Sequence, residues 1–289
     1  LRYFKKLNGL ESSHINFSIK YLYSLVNSGN FKQAFNYSKR LEKQKLDIFE
    51  SFLIIGINHL KNSNYELAQK YFLKAKNGNE RFILNNYITN SLYNWSRLTN
   101  LNQSRYDFEK LDSRFENLKK IQNAFLNCHF DSSKTNNLFS EIALDQKTDF
   151  SRYNYFYASY VASKGQINKA KKIVKSALKL YPRNLLLNQY KRDLTENKNV
   201  LAFDCKNKEH VVAEILYIAA NALSSQSMYV QSNFYLNLAK FLNKDFHSYN
   251  TLLAENFYKT DNYQNAKKIY ENLSKKGEAF HWYSSKQLA

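Results

Sequence analysis

The apolar positions of this chain recur with helical rather than strand spacing, and short polar turns interrupt them at regular distances. Phe31-Lys-Gln-Ala34 follows the polar turn Asn27-Ser-Gly-Asn30, and Tyr65-Glu-Leu-Ala68 follows Asn62-Ser-Asn64. Each phrase opens a helical pattern, and the two alanines lie 34 residues apart. Ala170, in Ile167-Asn-Lys-Ala170, lies 102 residues beyond Ala68, which is three further periods. Tyr263-Gln-Asn-Ala266 repeats the phrase near the other end, and Ser232 stands one period before Ala266. A repeat of this length marks stacked supersecondary units. The pattern therefore predicts an all-α chain built of helix pairs.

The register resembles the tetratricopeptide repeat, a helix-turn-helix unit that is small at positions 8, 20 and 27, aromatic near 17 and 24, and often Pro at 32. A unit opening at Ser151 places Ala158, Gly165, Ala170, Ala177 and Pro182 on that pattern. One opening at Phe49 places Gly56, Tyr65, Ala68, Phe72 and Ala75. A unit from His247 carries Ala254, Tyr263, Ala266 and Tyr270, and one from Ala213 carries Ala220, Leu236 and Ala239. A unit from Ile15 keeps Gly29, Phe31, Ala34 and Leu41, with Leu22 in place of the small residue. Two weaker units, from Ile83 and Asn117, fill the interval. Small residues at those positions let neighbouring helices approach closely, and larger apolar residues fill the remaining space. The resemblance implies an α-solenoid, a right-handed superhelix of antiparallel helix pairs. Gly29 and Gly165 then fall in the turn within a unit, Gly9, Gly78 and Gly277 between units, and Gly56 at a close helix contact.

Residues 1–14 fit the end of a preceding repeat, with Phe4 and Leu7 on its second helix. Five units span 15–184, an insertion covers 185–212, two more units span 213–280, and 281–289 fit the start of another. The insertion predicts a helix over 185–194 and a charged loop over 195–209. It reads either as a joint between two arrays or as a repeat that lost its second helix. Neither end carries a polar capping helix, so the chain is expected to be a stretch of a longer array.

Composition narrows the picture. One Pro and six Gly in 289 residues are few, and 23 Tyr with 21 Phe exclude a disordered chain. The net charge is +19. Its 34 Lys against 9 Arg, beside 37 Asn, read as the drift of a low-GC genome, which weakens any step from charge to nucleic acid. Within the register, positions 1–16 carry net +3 and positions 17–34 net +12. The charge is thus expected on the convex back, densest at Lys169, Lys171, Lys172, Lys175 and Lys179. Helical repeats that read RNA place charge on the concave side instead. A basic back is either a solvated face or a non-selective contact for anionic lipid or nucleic acid. No stretch approaches the roughly 18 apolar residues of a membrane span. Between cytoplasm and periplasm the sequence does not choose.

Nothing in the sequence carries recognisable chemistry. The six histidines are scattered over different units, and there is no H-E-x-x-H, paired-Cys spacing, phosphate loop or nucleophile elbow. No catalysis, metal or cofactor is expected. Cys128 and Cys205 read as buried small hydrophobes rather than a bridge.

What remains is the groove that the first helices of such repeats line. The resemblance assigns to it Tyr23 and Asn27, Leu53 and Ile57, Tyr87 and Trp95, Phe125 and His129, Tyr155 and Ser159, and, beyond the insertion, Tyr217 and Asn221. The Lys/Asn clamp that holds a peptide carboxylate in some members is absent, because Ile19, Tyr23, Glu50 and Ile54 stand at its positions. An aromatic and aliphatic groove suits protein or peptide segments with apolar anchors, although the same rings could equally pack between neighbouring units. The expected function is a non-catalytic protein-interaction scaffold. Electrostatic binding of RNA or an anionic membrane, and service as the regulatory arm of a larger enzyme, are the other readings.

Overall fold

The computed structural model describes residues 14–77, 83–110, 112–145, 151–198 and 202–289. Among these residues it is all-helical, with sixteen α-helices, one 3-10 turn at Ser113–Phe115 and no strand. The helices are α1 (Ile15–Asn27), α2 (Phe31–Lys43), α3 (Phe49–Lys61), α4 (Tyr65–Asn77), α5 (Ile83–Ser96), α6 (Leu101–Glu109), α7 (Glu116–His129) and α8 (Thr135–Leu144). They continue as α9 (Ser151–Ser163), α10 (Ile167–Leu180), α11 (Leu185–Thr195), α12 (Lys208–Ser225), α13 (Tyr229–Leu242), α14 (Ser248–Lys259), α15 (Tyr263–Leu273) and α16 (Glu278–Leu288). Gly9, Gly78 and the expected helix carrying Phe4 and Leu7 lie outside the described residues.

The turn inside the helix pairs has one chemical form in every pair but α5–α6. Gly29, Ser63, Asp131, Gly165, Ser227 and Asp261 all have φ between +51° and +77°, the left-handed region. Each ends its helix in the same double bond pattern. Gly29 N–H donates to Val26 O and Asn30 N–H to Leu25 O, both at 2.9 Å. Asn64 repeats the second bond to His59, Ser132 to Asn127, Gln166 to Val161, Met228 to Leu223 and Asn262 to Phe257. This is the Schellman closure, which satisfies carbonyls that the helix end would otherwise leave open. The next carbonyl then starts the second helix by accepting from the small residue four positions on, as Asn30 O does from Ala34 N and Asn64 O from Ala68 N.

Helix contact inside the pairs is close. A Cβ added at Gly56 would stand 2.5 Å from Cε1 of Phe72, whose ring is fully buried. Gly56→Ala is therefore expected to lower stability by about 1–3 kcal/mol through overpacking, even though alanine has the better helix propensity. A denaturant midpoint equal to or above wild type would show that the ring moves aside freely.

The helices divide into two compact units, and the division is not the linear one that the 34-residue register implies. The first unit joins the described residues up to Phe115 with Lys208–Lys244, and the second joins those of Glu116–Asn207 with Asp245–Ala289. In the first unit α1 to α6 pack as successive neighbours, and α12–α13 pack against α1, α3 and α5. Helix α3 shows why. Its sequence FESFLIIGINHLK is apolar almost all round, and Phe49, Phe52, Leu53, Ile54, Ile55, Ile57 and Leu60 are all buried. Helix α4 covers one side and α13 another. A helix with so wide an apolar surface needs such cover on more than one side.

In the second unit α7, α8, α9, α10 and α11 are neighbours in turn, α14–α15–α16 form a second run, and α16 packs on α11. Its core is aromatic. Phe125 has its ring centroid 5.3 Å from Phe156 and 5.1 Å from Phe203, while Phe156 lies 4.5 Å from Phe203 and 5.7 Å from Phe246. The Arg152 guanidinium lies 4.9 Å from the Phe246 centroid and donates to Ser248 Oγ at 3.0 Å. The expected helix over 185–194 is present as α11, whereas α12 begins at Lys208, inside the segment expected to be loop.

Cys128 and Cys205 form a disulfide across 77 residues, with Cα atoms 5.9 Å apart, which corrects their reading as unbridged hydrophobes. Spacing along the sequence could not reveal it, because the loop carrying Cys205 returns to α7 only through tertiary packing. Phe203 fills the aromatic core beside it, and His129 Nδ1 donates to Cys205 O at 3.1 Å.

Candidate functional site

Most residues that the repeat register assigns to the groove are engaged inside the chain. Leu53, Ile57, Tyr87, Trp95, Phe125, Tyr155 and Ser159 are buried, Tyr23, Asn27, His129 and Tyr217 are half-buried, and Asn221 is exposed. In the first unit the occupant of this face is α12–α13. The Tyr23 ring meets Phe234 edge-on at 4.9 Å, and its hydroxyl donates to Glu50 Oε1 at 2.8 Å. Burial pushes both the Tyr23 hydroxyl and the Glu50 carboxyl above their ordinary values. Asn27 donates to Val230 O at 3.4 Å and accepts from Asn237 at 3.3 Å. At the other end of α3, Lys61 pairs with Glu209 at 2.7 Å and donates to Leu242 O at 3.1 Å.

In the second unit the same register positions are covered by Phe203, Cys205 and Phe246. Tyr155 packs edge-on against Tyr190 at 4.9 Å and tilted against Phe246 at 5.5 Å, and His129 is fixed by Cys205 O. A partner reaching these positions would have to displace the chain's own helices. The sequence held one sign of this cover. An open groove wall is half polar, whereas apolar residues fill most of α3, and Glu214 is the one polar residue of Val211–Leu216.

An open cleft of about 790 Å³ lies elsewhere in the second unit, between the α10–α11 turn, α11, α14 and α16. Trp282 lines it while 69% exposed, the most exposed of the large aromatic side chains in the described residues. The Lys286 ammonium stands 5.9 Å from the Trp282 ring, and Arg183 and Arg192 line the opposite wall. The acid in the wall, Glu255, accepts from Tyr283 Oη at 2.6 Å. Leu185, Pro182 and the Tyr283 ring supply the apolar lining.

The cleft rests on a firm second layer. Gln189 on α11 accepts from Ala279 N at 3.0 Å at the start of α16 and donates to Asp193 at 2.8 Å. Burial raises the Asp193 carboxyl, and the Gln189 bond partly offsets that rise. Arg192 pairs with Glu278 across the same junction. Gly277 opens α16 at φ +138°, and a Cβ there would strike the Gln189 amide. The spacing of the pocket is thus set by α11 and α16 together, while Trp282 itself is free to meet a ligand.

No protein-family model matches the chain, and no curated protein matches it.

No cluster of His, Cys, Asp or Glu suited to a metal ion occurs among the described residues. The cleft offers an aromatic face, fixed cations and amide groups, which is equipment for binding. The residues named for the groove end at Asn221 and did not include Trp282, whose exposure depends on how α16 packs on α11.

Proposed function

We propose that the protein is a non-catalytic helical scaffold of the tetratricopeptide kind, and that it binds a segment of another protein in the cleft formed by α11, α14 and α16. The observation that carries this reading is Trp282, a large aromatic held open to solvent inside a cleft of the volume that ligands occupy. Aromatic anchors flanked by Arg are the residues on which binding free energy concentrates. The solenoid architecture and the protein partner both come from the 34-residue register, and the recurrent Schellman turns support it. The row named from the sequence, from Tyr23 to Asn221, takes a supporting role in this reading, since its rings pack within the chain.

Trp282→Ala is expected to leave helicity and unfolding midpoint unchanged and to weaken a captured partner by about 30-fold, the equivalent of a 2 kcal/mol anchor. Affinity capture with the full chain identifies the partner, and titration of that partner measures the change. Unchanged affinity for Trp282→Ala would place the binding surface elsewhere.

A further inference from the structure

Helix α10 carries a charge pattern that the cleft does not use. From residue 151 to residue 192 the sequence holds ten basic residues and no acid, although the chain as a whole has 24 acids. Five of them, Lys169, Lys171, Lys172, Lys175 and Lys179, stand on α10 itself. Ala170, Val174 and Ala177 are buried against its neighbours, while Lys171, Lys172, Lys175 and Lys179 are exposed on the opposite side. Lys171, Lys175 and Lys179 follow one another at i, i+4 and i+8, a straight row with about 6 Å between successive side chains. These four lysines form no ion pair in the described residues, and Lys169 beside them donates to the neutral Asn136 amide at 2.9 Å. Asp131 at the end of α7 is already neutralised by Lys164 and Lys206, at 3.0 and 2.6 Å.

We propose that the outer face of α10 seats the protein electrostatically on an anionic phospholipid surface. A straight row of unpaired ammonium groups on a convex helix matches a flat field of phosphates. The contact is peripheral, since no described helix is long and apolar enough to cross a membrane. Nucleic acid offers the same phosphate chemistry, and the disulfide decides between the two. Cys128–Cys205 is the kind of bond that forms and persists in oxidising compartments, where lipid headgroups are the abundant phosphates and nucleic acid is scarce. This inference stands apart from the cleft, and Trp282→Ala leaves it untouched.

The test is flotation of the full chain with vesicles of phosphatidylcholine alone and with about 30% phosphatidylglycerol, at roughly 50 and 200 mM salt. Binding is expected only to the anionic vesicles, falling steeply at the higher salt. The variant Lys171→Glu/Lys172→Glu/Lys175→Glu is expected to bind at least about tenfold more weakly. The control Lys268→Glu/Lys275→Glu/Lys276→Glu makes the same change in net charge at exposed lysines of α15 and beyond, and is expected to change binding less than about twofold. Circular dichroism of both variants checks that the helices are intact. Equal losses in the two variants, or equal binding to neutral vesicles, would overturn the proposal. So would a single-stranded RNA that binds through the same three lysines more tightly than the vesicles do.

Discussion

Phe125→Ala is expected to destabilise the second unit by about 3–5 kcal/mol, the cost of removing a fully buried aromatic ring. The ring touches Phe139, Tyr153, Phe156 and Phe203, and those neighbours belong to three different segments, α8, α9 and the loop before α12. None of them can close the space without moving a helix or the disulfide-held loop. The magnitude separates two assignments for one residue. A groove residue facing solvent would cost within about 0.5 kcal/mol on truncation and would change partner binding instead. Denaturant unfolding followed by circular dichroism distinguishes them, with Trp282→Ala as the exposed comparison. The loss is expected in the transition of the second unit, because every neighbour of Phe125 named here belongs to that unit. A midpoint unchanged by Phe125→Ala would return the residue to the binding surface.

Opening the Cys128–Cys205 bond should cost the same unit about 2–4 kcal/mol, since the bond closes a 77-residue loop whose freedom the unfolded chain would otherwise regain. Both cysteines are buried, at 3% and 8% exposure, so a reductant acts slowly on the folded protein and quickly once the loop opens. The paired variant Cys128→Ser/Cys205→Ser is the cleaner measurement. Its unfolding midpoint should fall to that of reduced wild type, and reductant should have no further effect on it. Equal midpoints for oxidised and reduced wild type would remove the bond from the account of stability.

Much of the helical framework was legible along the chain because it depends on neighbours in sequence. A helix end closed by a left-handed residue needs only the five or six residues before it. Gly29 and Gly165 mark that closure directly, and Ser63, Asp131, Ser227 and Asp261 occupy the same place in the register. Helix faces depend on spacing within a dozen residues, so Ala34, Ala68, Ala170 and Ala266 could be placed at contacts and are all buried. The excess of positive charge on the second helices is likewise local bookkeeping of position, and α10 displays it on an exposed face.

The sequence by itself determined an all-helical chain, the turns that join its helix pairs and the outward lysines of α10, because each follows from contacts a few residues apart. Only the tertiary structure decided that α12–α13 cover α1, α3 and α5, that Cys205 returns to Cys128, and that Trp282 is the aromatic left in an open cleft. Those outcomes depend on which apolar face finds which across 77 to more than 200 residues. The repeat makes many of its apolar faces alike, so the local pattern does not distinguish between partners for them. Burial of the whole set selects the arrangement, and it turns Tyr23, Trp95, Phe125 and Tyr155 into interior contacts.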